Sequence, residues 1–161
     1  MNKLAKIVKN IYQLPQFMQT SALSITLGNV VKFVGTAGIR FEKMTTDEVI
    51  VTVANKRKVQ NHISQVHAAA TALLAETATG MVVGMNVPDD KIPLLKSMQV
   101  NYLKRSQGAQ RAVASLSPEQ IEQITTLEKG DVSVPVVVKD SVGTEVVSVE
   151  MVWAWIPKKR S

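Results

Sequence analysis

The sequence predicts an α+β fold: one domain in which an antiparallel β-sheet wraps around a single long helix. Three observations predict it. From Val66 to Thr79 nearly every residue is small or apolar, and a helix apolar on all sides needs a core around it. Two β-branched or alternating segments precede this run and four follow it. A sheet folded round the helix is the economical way to bury both. Finally, 161 residues with 45% hydrophobic content suffice for one core and argue against disorder. No internal repeat, low-complexity segment or linker divides the chain. Residues 1–35 are expected to be an N-terminal helical segment, and residues 36–157 the sheet-and-helix core, within one domain spanning 1–161.

In chain order, Leu4, Ile7, Val8 and Ile11 recur at helical spacing, with Lys3, Lys6 and Lys9 mostly off the stripe. That pattern predicts an amphipathic helix docked on the core. Pro15 can open a second helix, and its Phe17, Met18, Leu23, Ile25 and Leu27 are candidates to cover a pocket. Ile39–Glu42 alternates, Thr45–Glu48 reads as a turn, and Val49–Val53 is a strand by its β-branched content. The long helix follows, continuing through Gly80 and Gly84 towards Met85 and stopped by Pro88. Its glycines suggest close packing against a neighbour. Strands are expected over about Leu94–Lys104, Arg111–Leu116, Asp131–Val138 and Thr144–Ile156. Between them, Ser117-Pro118-Glu119-Gln120 carries an N-cap, a first-turn proline and a capping-box glutamine, so a short helix begins there. Trp153 and Trp155 share one strand face and read as core or interface. Pro157–Arg160 reads as a solvated basic tail.

Inside the long helix the one ionisable side chain is Glu76. Burial of an unpaired carboxylate is costly and raises its pKa, which suits a general base; a solvated carboxylate at a helix edge is the plain alternative. His67 stands where the helix begins and is first a capping residue. The free N–H groups and positive dipole end beside it suit a developing oxyanion. Nine residues separate His67 from Glu76, or 900° at 100° per residue, so the two leave opposite faces about 13 Å apart along the axis. One chain cannot easily bring both to one substrate, whereas two antiparallel copies packed side by side can. A site using both features is therefore composite, and the protein at least a dimer.

Asn61, His67 six residues on, and Glu76 nine further, within an apolar helix, resemble a motif of hotdog-fold acyl-CoA thioesterases of the phenylacetyl-CoA type. That motif reads Asn-x-x-Gly-x-x-His-Gly-Gly followed by an acidic residue. Met98-Gln99-Val100-Asn101-Tyr102-Leu103 is similar to the next strand of that family, and order and spacing agree from about Ile39 to Pro157, with the Ser117 helix as an insertion. The resemblance implies a hotdog fold and thioester hydrolysis in fatty-acid metabolism. Glu76 would activate water or attack the thioester, Asn61 would hold the water or the carbonyl, and the Ala68 backbone N–H would stabilise the oxyanion. Here Ala68-Ala69 replaces the Gly-Gly pair and Ser64 the earlier glycine. A helpful hydroxyl of related enzymes aligns with Leu95; Ser97, two residues on and so on the same strand face, is the nearest substitute. The implied partners are an acyl-CoA or acyl-carrier thioester and a second copy of the chain, as a dimer or dimer of dimers. No metal or other cofactor is required.

Composition bounds the rest. The absence of cysteine removes disulfides and thiolate metal sites, and His62 and His67 alone are too few for a typical zinc centre. A net charge of +6 suits CoA phosphates, but few aromatics and scattered cations argue against nucleic acid. No apolar run of membrane-spanning length and no signal-peptide stretch is present, which fits a cytoplasmic protein. Two other readings stay open: a non-catalytic acyl- or lipid-binding module, and a hydroxyacyl thioester dehydratase using His67.

Overall fold

The computed structural model describes residues 1–159; of the expected basic tail, Arg160 lies outside them. Three helices come first: α1 (Lys3–Ile11), α2 (Gln16–Val30) and α3 (Lys32–Ala37). They lead into strands β1 (Arg40–Met44) and β2 (Glu48–Val53), the long helix α4 (Ala68–Gly84), β3 (Lys91–Tyr102) and β4 (Gln110–Ser115). Helix α5 (Pro118–Thr126) and strands β5 (Gly130–Ser133), β6 (Val136–Asp140) and β7 (Glu145–Pro157) complete the chain. Among the described residues the strands form one seven-stranded sheet in the order β1-β2-β4-β6-β7-β3, with β5 also on β7. Every pairing is antiparallel.

The sheet packs round α4, which touches β2, β4, β3, β6 and β7. Leu74, Ala75, Ala78, Val82 and Val83 of α4 meet Val49, Val51, Ala112, Ala114, Val138 and Met151 in the buried core. Gly80 allows Trp153 to lie against the helix: a Cβ there would stand 2.6 Å from the indole ring. The Trp153 Nε1–H donates to Thr79 Oγ1 at 2.9 Å and that of Trp155 to the Leu127 carbonyl at 3.1 Å. Both tryptophans are thus core residues with satisfied N–H groups.

Three expectations change. The helix is not buried all round: Ala69, Leu73, Glu76, Gly80 and Gly84 form a stripe that is exposed or half-buried. Alanine and glycine read as apolar in sequence but demand little cover, so composition overstated the burial. The expected single strand Asp131–Val138 is two strands. Pro135 has no N–H for a ladder, and the chain changes partner there, from the C-terminal half of β7 to β4 and the N-terminal half of β7. Lastly, β3 begins at Lys91 rather than Leu94 and carries a bulge between Leu95 and Ser97.

The N-terminal segment docks on the core, although Ile7 of the expected stripe faces solvent. Ala5 and Val8 of α1 are buried. Asn2 caps α1 through Ala5 N–H at 2.8 Å, while its Nδ2 donates to the Gly84 and Val87 carbonyls at 2.7 and 2.6 Å, fixing α1 to the end of α4. Leu23 and Leu27 of α2 lie in the core, whereas Phe17, Met18 and Ile25 face solvent. The segment's residues that adjoin Glu76 are instead Leu4, Val31 and Val34.

Candidate active site

The loop entering α4 is built from short-range hydrogen bonds. Asn61 Oδ1 accepts from the N–H groups of Ile63 and Gln65, both at 3.0 Å. The Asn61 N–H donates to the Gln65 carbonyl at 2.8 Å, and Gln60 bridges Val66. Ser64 sits inside with φ of 58°, the left-handed conformation that glycine adopts without strain. This is the position at which the resembling family carries glycine. With its oxygen committed to the loop, Asn61 has Nδ2 left over, which donates to no acceptor among the described residues. It remains a hydrogen-bond donor only.

His67 is the N-cap of α4. Its Nδ1 accepts from Ala69 N–H at 3.0 Å, so the ring serves the helix end, the structural role expected first. The carbonyl of Ala68 is pinned by the Tyr102 hydroxyl at 2.7 Å. The Ala68 N–H itself donates to nothing among the described residues. Ala68 and Asn61 line one cavity of about 220 Å³, together with Thr71, Tyr102, Lys104, Arg105, Ser106 and Gln110.

Glu76 lies elsewhere. It opens onto a second cavity of about 210 Å³ with walls from Leu4, Val31, Val34, Met81, Pro93 and Trp153. It is half-buried, and its side chain has no hydrogen-bond or ion-pair partner among the described residues. Burial pushes its carboxyl above the ordinary glutamate value, as desolvation without a compensating donor must. His67 faces a third cavity with Phe33, Lys58 and Leu73. Within one chain the structure brings Asn61 and Ala68 to one cavity and places Glu76 and the His67 ring on two others; the expected opposite faces for His67 and Glu76 do not hold, because His67 is an extended N-cap and its cavity includes Leu73 of the Glu76 stripe.

Ser97 does not share a face with Leu95. Leu95 pairs with Trp153 and Ser97 with Val152, because the bulge sets two β3 residues against one on β7. Paired residues share a sheet face, and Trp153 faces α4, so Ser97 is on the outer face and exposed. Past the bulge Met98, Val100 and Tyr102 face the helix, opposite Met151, Val149 and Val147.

Two contributors went unmarked in the sequence. Tyr102 anchors the first turn of α4, and Gln110 stands in the inward row of β4 beside the fully buried Ala112 and Ala114. The alternation Gln110, Ala112, Ala114 was legible: one polar residue in an apolar row.

An antiparallel sheet around a central helix, with a stapled loop delivering the helix N-terminus, defines a hotdog-fold protein. The chain belongs to the family known as domain of unknown function DUF4442, whose model matches residues 19–156. Solved structures agree on the fold. A Pseudomonas aeruginosa protein of unknown function, described as a probable thioesterase, is 23% identical with a TM-score of 0.77, covering 90% of this chain and 97% of that one. A Haemophilus influenzae thioesterase is 14% identical with a TM-score of 0.68, covering 88% and 92%. A Bacillus halodurans protein solved with CoA is 22% identical with a TM-score of 0.65, covering 84% and 91%. No curated protein matches this chain. No helix among the described residues is long and apolar enough to cross a membrane.

Proposed function

We propose that the protein is an acyl-CoA thioesterase whose site is shared between two copies of the chain. The observation that carries this reading is Glu76: a half-buried carboxyl without a partner, on the open stripe of an otherwise buried helix, beside an apolar cavity. Such a group stabilises nothing in the fold, and its raised pKa suits a base. The unused Ala68 N–H and Asn61 Nδ2 supply the complementary donors. The thioesterase and CoA-bound relatives point the same way.

Glu76 of one copy takes a proton from water as the water oxygen attacks the thioester carbonyl carbon. The carbonyl oxygen, now negative, rests on the Ala68 N–H of the other copy, with Asn61 Nδ2 holding the water or the carbonyl. Collapse breaks the carbon–sulfur bond, and the departing thiolate receives the proton from Glu76. Acid and thiol leave, with no cofactor consumed. β3 supports a two-chain arrangement: twelve residues long, it pairs only with β7 among the described residues and offers a free edge to a second copy. The dehydratase alternative is less favoured, because His67 Nδ1 accepts from the Ala69 N–H and the neutral ring then carries its proton on Nε2. Neither Ser97 nor the His67 ring receives a role in the chemistry.

The test is thiol release from a panel of acyl-CoAs, short to long and aromatic. Glu76→Gln is expected to lower turnover at least tenfold while the protein remains folded. Unchanged turnover would remove Glu76 from the mechanism. A well-folded wild type inert towards the whole panel would favour the binding module instead, which the separation of Glu76 from Ala68 within one chain also allows.

A further inference from the structure

We propose that the outward face of α2, with the groove between α2 and α3, is a docking surface for an anionic lipid bilayer. The proposal does not rest on the thioesterase reading.

The first observation is an apolar face without charge. Gln16–Val30 contains no charged residue. Leu23 and Leu27 hold the helix on the core. Phe17, Met18 and Ile25 fall within about 100° of one another on the opposite side, at 100° per residue. Phe17 is 83% and Ile25 65% exposed. A surface helix ordinarily turns charged or polar residues outward, and a contiguous apolar patch left in water marks an interaction surface. The segment is fixed in this attitude along β1. Ser24 Oγ accepts from the Phe41 N–H at 2.9 Å, and the Tyr12 hydroxyl from the Met44 N–H at 2.8 Å.

The second observation is charge. Residues 1–41 hold five cations and no acid, against 19 and 13 in the whole chain, so this segment carries nearly all of the net +6. Beside Ile25 runs an open groove of about 620 Å³ with Ser24, Asn29, Lys32, Thr36 and Arg40 on its walls, and no carboxylate lines it. Lys32 and Arg40 are in no ion pair among the described residues. Glu42, the first acidic residue of the chain, is already paired with Arg111. Apolar side chains flanked by unpaired cations and hydroxyls complement an acyl boundary beneath anionic phosphate headgroups. A second copy suits the face less well. A two-fold contact sets a patch against itself, here cation against cation with no acid in the segment. The edge offered to a second copy, β3, is also at the other end of the strand order from β1.

The experiment is co-sedimentation with vesicles of phosphatidylcholine alone and of phosphatidylcholine with about one-third phosphatidylglycerol. Wild type should bind the anionic vesicles at least tenfold more tightly than the neutral ones. Phe17→Ser/Ile25→Ser should weaken binding to the anionic vesicles at least tenfold. Lys32→Gln/Arg40→Gln should weaken it as much and remove most of the preference over neutral vesicles. All four side chains are exposed, so both double variants keep the fold, which a thermal melt checks. Wild type bound by neither vesicle overturns the proposal, as does binding that either double variant leaves unchanged. A change of oligomeric state in Phe17→Ser/Ile25→Ser without lipid, read by analytical ultracentrifugation, also overturns it, since the face would then join two copies. Turnover is read in no arm, so failure of the thioesterase reading leaves the test intact.

Discussion

At Glu76, desolvation decides both stability and rate. Its carboxyl titrates above the ordinary 4.5 because burial disfavours the anion. For a folded pKa raised above the unfolded one, the stabilising contribution is present at low pH and lost as pH rises through the folded value. Wild type at pH 7 therefore bears the cost of a half-buried anion that Glu76→Gln lacks. The variant is expected to melt higher than wild type at pH 7, with the difference shrinking as pH falls towards 4; equal melting curves across that range would contradict it. The same shift governs the proposed chemistry, since a base must be ionised: the acid limb of the rate profile should fall above the usual glutamate range and vanish in Glu76→Gln. Ser64 offers a second residue-scale prediction. Its left-handed backbone costs a non-glycine residue about 1–2 kcal/mol, partly offset by the greater unfolded-state entropy of glycine. Ser64→Gly should stabilise by about 0.5–1 kcal/mol, read from denaturant midpoints.

Among the elements, the pair α2 and α3 is set by a glycine contact. A Cβ on Gly35 would lie 2.5 Å from the Gly28 carbonyl oxygen, backbone against backbone, so neither side can yield by turning a side chain. Gly35→Ala is expected to destabilise by about 1–3 kcal/mol through overpacking, more than alanine's helix propensity returns, and a thermal melt checks it. Val31 and Val34 beside this contact form part of the wall next to Glu76, so the same change should disturb that cavity. The elements also show where sequence reasoning held. The capping box of α5 is present, with Ser117 and Gln120 bonding reciprocally, because caps are local chemistry within four residues. The face of Ser97 was not legible. Alternation is counted along one strand, whereas the bulge after Leu95 exists only through pairing with β7.

For the molecule as a whole, the separation of Glu76 from the Ala68–Asn61 cavity is the informative geometry. If each site takes Glu76 from one protomer and the α4 N-terminus from its partner, two differently damaged chains should complement. Asn61→Asp keeps the acceptor atoms that hold the loop and loses the Nδ2 donor. Mixed after unfolding and refolding together, Glu76→Gln and Asn61→Asp chains would form half heterodimers, each with one intact site of two. Activity should recover to about a quarter of wild type, far above either variant alone. Recovery no greater than the average of the two homodimers would place the site within one chain.

By itself the sequence determined the kinds of element and their order: an apolar helical run, β-branched alternation, a proline-serine helix start, and Asn61, His67 and Glu76 at motif spacing. These follow from periodicity, propensity and capping, which act within a few residues. Tertiary structure decided which side of α4 stays open, where the 131–138 segment changes partner, that Ser97 turns outward, and that Gln110 and Ala68 line one cavity. Each depends on what packs against a residue from a distant part of the chain. Burial and register are properties of such pairs, and neither partner carries them in its own local pattern.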